Sequence, residues 1–431
     1  MKAIIMAGGL GTRISSLRDD LPKPMIPICG KPILEYQIAC LKKNKISDFI
    51  IVVGYKSQII MDYFNDGSFY NCSISYFIEE QPLGTAGALF KIKDLPDVFI
   101  LTNGDLIFNI DFSKMISFHF ENKALATLAV HPNNHPFDSS IIETDKSNKV
   151  TGWLNKEDKK NYYKNQVNSG IHILTSELLK ICKLTNSKID LDRDVLKPSI
   201  KTERIYSYRT PEYIKDIGTP ERYNQVISDI NSNFVQMKNL SVKQKCVFLD
   251  RDGTINHSNG FIKTLDDFIL IDGVAESIKK LNENNFLVII ITNQPVIARG
   301  EITIETLDLI HMKLETELGK KGAYIDDIFY CPHHPDKGFP GELPELKIDC
   351  VCRKPKPGMI LNAANKYNID LFKSYMVGDD IRDAKAGFSA GCIPVLLTSN
   401  CEDIKTLKKE YEQMNSILFF NTLSSFVHSI I

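Results

Sequence analysis

The chain has 431 residues, 43% of them apolar and 24% charged, which suits two or three soluble domains that each bury a core. Its 52 Lys and Arg stand against 53 Asp and Glu, a net charge of −1, so no global field draws it to nucleic acid or to an anionic membrane. The longest apolar runs are strand-sized, no signal-type segment follows Met1, and ten cysteines are too sparse for a disulfide scaffold. A cytoplasmic protein is expected, with neither nucleic acid nor membrane as partner; a homo-oligomer is compatible with the sequence.

The first apolar run, 2–7, reads as a strand and runs into Gly8, Gly9, Gly11, Thr12 and Arg13, with Lys23 following in a Leu-Pro-Lys-Pro-Met string. Closely spaced glycines let backbone N–H groups approach an anion, and Arg13 and Lys23 add positive charge. Ile14 stands where a dinucleotide fingerprint needs its third glycine, and no Gly-Lys-Ser/Thr occurs, so this is neither a Rossmann fingerprint nor a P-loop. An amphipathic stretch at 32–44 predicts a helix with proline at its first position. Runs at 49–55, 73–78 and 98–103 predict strands, with a helix over 85–91 between the last two. The alternation predicts a doubly wound, mainly parallel sheet.

Around 231–245 the pattern lapses into polar residues without period, so the expected division is a first domain at 1–232, a linker at 233–244 and a second domain at 245–431. The alternation then restarts: strands at 247–250, 286–292 and 375–378, helices near 274–284, 304–318, 357–367 and 383–390. The first of these strands ends in Asp250, Asp252, Gly253 and Thr254, two carboxylates where open α/β sheets bind ligands. Between the later elements lie Cys331-x-His333 and Cys350-x-Cys352, a donor set that suits a closed tetrahedral structural Zn²⁺ site. His334 competes with His333, and the C-x-H spacing favours His333.

Over roughly residues 1–230 the chain resembles the sugar-nucleotidyltransferase family. The anchors are the GGLGTR loop, LPKPM, Glu80-Gln-Pro-Leu-Gly84-Thr-Ala-Gly87, Thr102-Asn-Gly-Asp105, Asn168-Ser-Gly170 and Asp216-Ile-Gly-Thr-Pro220. The resemblance implies joining of a nucleoside triphosphate to a sugar 1-phosphate, with Asp105 and Asp216 holding Mg²⁺. It implies Arg13 and Lys23 as catalytic cations, and Gly8, Gly9, Gly11, Thr12, Glu80, Gly84, Lys156 and Asn168 in substrate binding. Family members often carry Glu-Lys-Pro where this chain has Asn155-Lys156-Glu157, so Lys156 could equally be a surface charge. Glu79 and Glu80 favour GTP, because a carboxylate can accept from both N1–H and the 2-amino group of guanine; two solvated glutamates remain the alternative.

The second half resembles the haloacid-dehalogenase phosphatase superfamily: Asp250-Arg-Asp252-Gly-Thr254, Thr292-Asn293 at a strand end, Arg353-Lys354-Pro355, then Gly378-Asp379-Asp380. The resemblance implies a haloacid-dehalogenase-like domain without a large cap, following a Rossmann-like nucleotidyltransferase domain. Asp250 would be the nucleophile and Asp252 the general acid/base. Thr254, Thr292, Asn293, Arg353 and Lys354 would bind substrate and phosphate, and Asp250, Asp252 and Asp379 would hold Mg²⁺.

The zinc loop of Cys331, His333, Cys350 and Cys352 is similar to two subfamilies, the heptose 1,7-bisphosphate 7-phosphatases and the histidinol-phosphate phosphatases. Asn293-Gln-x-x-Ile297-Ala-Arg299-Gly and Cys352-Arg-Lys-Pro-x-Pro-Gly-Met359 look like the former. Pro295-Val296 replaces the usual Ser-Gly, and Asp380 the usual lysine. Together the resemblances imply removal of the 7-phosphate of a heptose 1,7-bisphosphate and transfer of GMP from GTP to the heptose 1-phosphate. The alternatives are a hexose-1-phosphate nucleotidyltransferase fused to a histidinol-phosphate-type phosphatase, and a nucleotide-sugar sensor.

Overall fold

A computed structural model describes residues 1–9, 20–182, 184, 188–258, 260–398 and 417–431. Gly11, Thr12 and Arg13 lie outside the described residues. The chain forms two compact units. One comprises Met1–His131, Ser140–Asn155 and Gln166–Asn239; the other comprises Pro132–Ser139, Lys156–Asn165 and Leu240–Ile431.

In the first unit, Lys2–Met6 (β1) is followed by Ile33–Lys43 (α1), Asp48–Val53 (β2), Ser73–Ile78 (β3) and Val98–Asn103 (β4). Then come Leu106–Asn109 (β5), Phe112–Glu121 (α2), Ala126–His131 (β6), Ile141–Thr144 (β7), Val150–Leu154 (β8) and Val167–Thr175 (β9). Ile205–Arg209 (β10), Tyr213–Asp216 (β11) and Pro220–Asn231 (α3) follow, and shorter helices, Ser57–Phe64 and Ser176–Cys182 among them, lie between these elements.

The main sheet runs β8-β7-β9-β4-β1-β2-β3, with β6 beside β9 and β10 beside β6. Strands β4, β1, β2 and β3 are parallel, as the alternation predicted. Beyond β4 the sheet turns antiparallel through β9, which the apolar pattern did not show. Alternate residues of β1 and β2 enter different cores: Ala3, Ile5, Phe49 and Ile51 on one face, Ile4, Ile50 and Val52 on the other. Burial on both faces explains why these strands read as continuous apolar runs.

Two local expectations change. Pro32 is the N-cap of α1, one position before the helix, and the stretch at 85–91 forms only a 3₁₀ turn, Gly87–Phe90. Gly84 has φ +85° there, and a Cβ on it would fall 2.4 Å from Ile189 O, so the chain turns rather than coils. The stretch after α3 carries a short helix, Phe234–Met237.

The second unit's sheet is built from Lys245–Leu249 (β12), Phe286–Asn293 (β13), Asp327–Cys331 (β14), Tyr375–Gly378 (β15), Ile393–Leu397 (β16) and Leu418–Phe420 (β17). Its helices are Val274–Glu283 (α4), Ile304–Lys320 (α5), Gly358–Tyr367 (α6), Ile381–Ala390 (α7) and Leu423–Ile430 (α8). All pairings are parallel, in the order β14-β13-β12-β15-β16-β17. The chain leaves β12 toward β13 on one side and returns on the other at β15, so the tip of β12 is a switch point where ligands of open α/β sheets bind. Val247, Leu249, Val288 and Ile290 fill one core face, and Cys246, Phe248, Leu287 and Ile289 the other.

Candidate active sites

At the tip of β1, Gly8 and Gly9 lie at the first unit's switch point, between parallel neighbours β2 and β4. A Cβ on Gly8 would fall 2.4 Å from Glu79 Oε2. The carboxylate next to the glycine loop is therefore Glu79, while Glu80 is exposed. Burial raises the proton affinity of Glu79, and its Oε1 is buried without a hydrogen-bond partner among the described residues.

Gly104 donates its N–H to Met6 O at 2.9 Å, tying the end of β4 to the end of β1. A Cβ on Gly104 would fall 2.9 Å from that same oxygen. Strand β11 pairs with β5, setting Asp216 opposite Leu106, and Ile217 N donates to Asp105 O at 3.0 Å. The two expected metal ligands of the first half thus sit on adjacent rungs. Each carries a cation: Lys23 Nζ is 2.5 Å from Asp105 Oδ2, and Arg222 Nη1 is 2.6 Å from Asp216 Oδ2. Gln37 of α1 donates to Asn103 O and Leu106 O at 2.9 and 2.8 Å, bracing the turn that carries Asp105. Gln37 and Arg222 went unnoticed in the sequence, since only the fold brings them to the strand ends.

Asn168 opens the same face from β9 and donates to Asp192 Oδ2 at 3.2 Å. Burial first, then Asp190, raises Asp192 to about 6. Gly170, at φ +74°, leaves a Cβ position 2.6 Å from Asn103 Nδ2, so this strand packs directly on the Asn-Gly-Asp tip. Lys156 is exposed.

In the second unit, Asp250 follows β12. Its Oδ1 accepts from Arg251 N at 2.7 Å and pairs with Lys354 Nζ at 2.7 Å. Lys354 also reaches Asp383 Oδ1 at 2.6 Å and Ile291 O at 2.8 Å. Burial alone would lower this lysine's proton affinity; Asp250 and Asp383 outweigh it and raise it, so Lys354 is a fixed cation. Asn293 clamps Lys354's backbone at both ends, accepting from its N–H and donating to its carbonyl at 3.0 Å each.

Asp250, Asp379 and Asp383 present oxygens within 4.8 Å of one another, a set that fits a divalent cation. Burial, then Asp250, raises Asp379 to about 6, and the same two causes raise Asp383. Lys354 offsets part of the repulsion among these carboxylates, and a bound proton or a divalent cation offsets the rest. Asp252 is not in this group: its oxygens face Arg251, Asn256 and Gln294. Asp383 stands there instead. The sequence signal for it was the i, i+4 spacing from Asp379 across the first turn of α7. Thr254 Oγ1 is buried and without a partner among the described residues, and Thr292 Oγ1 accepts from Gln294 at 2.9 Å.

Cys331, His333, Cys350 and Cys352 converge at the end of β14. Their ligand atoms all lie within 4.8 Å of one another, and five of the six pairs are 3.1 to 3.6 Å apart, a cluster somewhat tighter than the tetrahedron of thiolates at about 2.3 Å and an imidazole at about 2.0 Å around one ion. His334 turns away, its Nε2 3.2 Å from Arg299 Nη2. Arg353 Nη1 donates to His333 O at 3.2 Å, linking this knuckle to the residue before Lys354.

Gly8 and Gly9 at one switch point with two strand-end carboxylates, and a second switch point with Asp250, a buried lysine and a carboxylate trio, define a two-part α/β enzyme. It joins a nucleotidyltransferase to a phosphatase of the haloacid-dehalogenase type. Residues 2–233 match the Nucleotidyl transferase family, to which the chain belongs, and residues 351–423 match the HAD-hydrolase-like family.

The first half is 32% identical over 232 residues to the D-glycero-alpha-D-manno-heptose 1-phosphate guanylyltransferase of Aneurinibacillus thermoaerophilus, covering 53% of this chain and 98% of that protein. The second is 44% identical over 144 residues to the D-glycero-beta-D-manno-heptose-1,7-bisphosphate 7-phosphatase of Yersinia pestis, covering 33% of this chain and 74% of that protein. The corresponding phosphatase of Photorhabdus laumondii is 36% identical over 184 residues, 43% of this chain and 94% of that protein. No helix among the described residues is long and apolar enough to cross a membrane.

Proposed function

We propose that the chain makes a GDP-heptose in two consecutive steps. The second half removes the 7-phosphate of D-glycero-D-manno-heptose 1,7-bisphosphate, and the first half transfers GMP from GTP to the heptose 1-phosphate. The observation that carries this reading is the pairing of two complete sets of catalytic carboxylates in one chain. The relatives of the two halves act on manno-heptose phosphates that differ by the 7-phosphate and in the anomer.

In the phosphatase, Asp250 Oδ attacks the phosphorus at C7, forming an aspartyl-phosphate while the sugar oxygen leaves with a proton from Asp252. Asp252 then takes a proton from the water that cleaves the acyl phosphate. Lys354 and Thr254 bind the phosphoryl oxygens, which gives the orphaned Thr254 hydroxyl a partner. Mg²⁺ held by Asp250, Asp379 and Asp383 would neutralise charge on the transferring group.

In the nucleotidyltransferase, Lys23 and Arg13 hold the triphosphate against the glycine loop. A phosphate oxygen of the sugar displaces pyrophosphate from the α-phosphorus. Asp105 and Asp216 would hold Mg²⁺, exchanging the ion pairs to Lys23 and Arg222. Glu79, rather than Glu80, reads guanine, because its buried Oε1, without a partner among the described residues, gains most from N1–H and the 2-amino group. The three thiolates and His333 would hold a structural Zn²⁺.

The named relatives differ in anomer, beta for the phosphatases and alpha for the guanylyltransferase. Two consecutive steps in one chain require agreement, and we assign the alpha anomer to both. The test supplies each anomer of the bisphosphate with all four nucleoside triphosphates and follows products by mass spectrometry. GDP-heptose from the alpha anomer is expected. Asp250→Asn should abolish phosphate release and leave pyrophosphate release from heptose 1-phosphate intact. Phosphate release from the beta anomer alone would break the coupling of the halves. Hydrolysis of histidinol phosphate, or equal use of mannose 1-phosphate, would overturn the heptose assignment.

A further inference from the structure

Arg251 stands between the two aspartates that open the second site, and its side chain has no exposed surface. A guanidinium taken out of water needs partners for its donors. Nε and Nη2 fork the two oxygens of Asp252 at 2.9 Å each, and Nη1 lies 3.3 Å from His311 Nε2. His311 comes from α5, with its ring 5.8 Å from that of Tyr330. Burial first, and Arg251 second, hold His311 well below its usual proton affinity, so it meets the guanidinium as a neutral acceptor.

Two readings of Arg251 compete. As a phosphate ligand it would have to reach the substrate, but it is fully enclosed and its fork is spent on Asp252. As a support for Asp252 its placement is complete. Each Asp252 oxygen receives one further donor, Asn256 Nδ2 at 3.1 Å and Gln294 Nε2 at 2.9 Å. Planar, bidentate pairing of this kind fixes orientation as well as distance. A carboxylate two residues from Asp250 is otherwise free to join the Asp250–Asp379–Asp383 group, where it would be lost to proton transfer.

We infer that Arg251, backed by His311, is a positioning residue that keeps the Asp252 carboxylate clear of the cation-binding trio, where it can exchange its Asn256 or Gln294 donor for a proton when substrate binds. This rests on the phosphatase reading of the second half. In the first step Asp250 Oδ forms a bond to phosphorus, the bond from phosphorus to the leaving oxygen breaks, and that oxygen takes the proton of Asp252. In the second, water bonds to phosphorus, its proton goes to Asp252, and the bond to Asp250 breaks to release phosphate. A sugar alkoxide is a strong base and needs the proton in the first step. p-Nitrophenolate is a weak base and leaves without it.

The experiment compares heptose 1,7-bisphosphate with p-nitrophenyl phosphate in the full chain carrying Arg251→Lys, Arg251→Gln or His311→Gln. Arg251→Lys keeps a charge and loses the fork. Expected in single-turnover measurements is a fall of about 100-fold in the rate of leaving-group release from the sugar phosphate for both Arg251 variants, and of less than tenfold in the release of p-nitrophenolate, because breakdown of the aspartyl-phosphate is common to both substrates. KM should stay near wild type, and His311→Gln should give a smaller loss of the same pattern. Circular dichroism and the melting transition establish that the variants compared are folded. Equal losses on both substrates in a folded variant, or no loss on the sugar phosphate, overturn the proposal. Failure of the wild-type protein to hydrolyse the heptose compound would overturn the substrate reading instead. The ratio between any alkyl phosphate it does hydrolyse and the aryl ester would still decide the role of Arg251.

Discussion

Gly253 shows how closely the second site is packed. Its φ is +84°, and a Cβ there would fall 2.1 Å from Asp379 Oδ2. Gly253→Ala must both strain the backbone and push Asp379 out of the carboxylate trio. We expect a loss of about 1–3 kcal/mol in stability of the second unit, the usual cost of such strain, and at least a tenfold fall in phosphate release. Pyrophosphate release by the first half should be unchanged. Urea unfolding and the two assays check this; an active, equally stable variant would show that Asp379 has room to move. At this scale the sequence was readable where chemistry and backbone geometry share a residue. The Asp250-x-Asp252-Gly253 string announces itself, because few strands end in two acids and a glycine. Arg251 did not, since a lone arginine reads as a solvated charge until the fold encloses it. Glu80 and Glu79 are neighbours with the same chemistry, and only strand register says which one meets Gly8.

Among the elements, the knuckle after β14 is the most dependent on a ligand. It joins the strand end to a loop held by hydrogen bonds rather than by regular secondary structure, among them Leu343 N to Ala298 O at 3.0 Å and Lys347 Nζ to Asp336 O at 2.7 Å. Three thiol groups this close repel once ionised, so without an ion at least some must stay protonated, and burial already raises Cys331. Bound metal reverses that preference and stabilises the folded loop. We expect one zinc per chain by elemental analysis, and three thiols protected from a thiol reagent until a chelator is added. Chelation should lower the melting temperature of the second unit and slow phosphate release, because Arg353 hangs on His333 O beside Lys354. Cys350→Ser should mimic the chelator; full thiol reactivity in the untreated protein would remove the metal from the account. Spacing of the cysteine pairs exposed this element in advance. The antiparallel strands β6 and β9 were hidden for a physical reason: both are buried along most of their length, which erases the alternation that marks a strand with one wet face.

Across the molecule, charge balances to −1, so the pH response comes from individual buried groups rather than from general repulsion. His172 is the clearest case in the first unit. It lies in the middle of β9, paired with Leu101 and Leu128, and burial lowers it to about 3. The unfolded chain would carry this imidazole near 6.5. A group depressed in the folded state contributes its full share of stability above the unfolded value and loses it as pH falls toward the folded one. Between about pH 6.5 and pH 3 the unfolded chain therefore holds one more proton at this site, costing about 1.4 kcal/mol per pH unit. His119, lowered to about 4 by burial, acts in the same direction. Asp192, raised to about 6, acts in the opposite one, because the folded protein holds its proton first. Two histidines against one aspartate leave a net of about one proton, about 1.4 kcal/mol per pH unit, and a pH titration of the wild-type protein alone would not assign it to any one group. A difference measurement separates them: His172→Leu cannot take up the proton, so its stability relative to wild type should improve by about 1.4 kcal/mol for each unit of acidification below pH 6. Urea unfolding of the first unit at pH 7, 6 and 5 measures it. A difference that stays constant with pH would mean that His172 is protonated in the folded sheet, and that β9 is more open than its packing indicates.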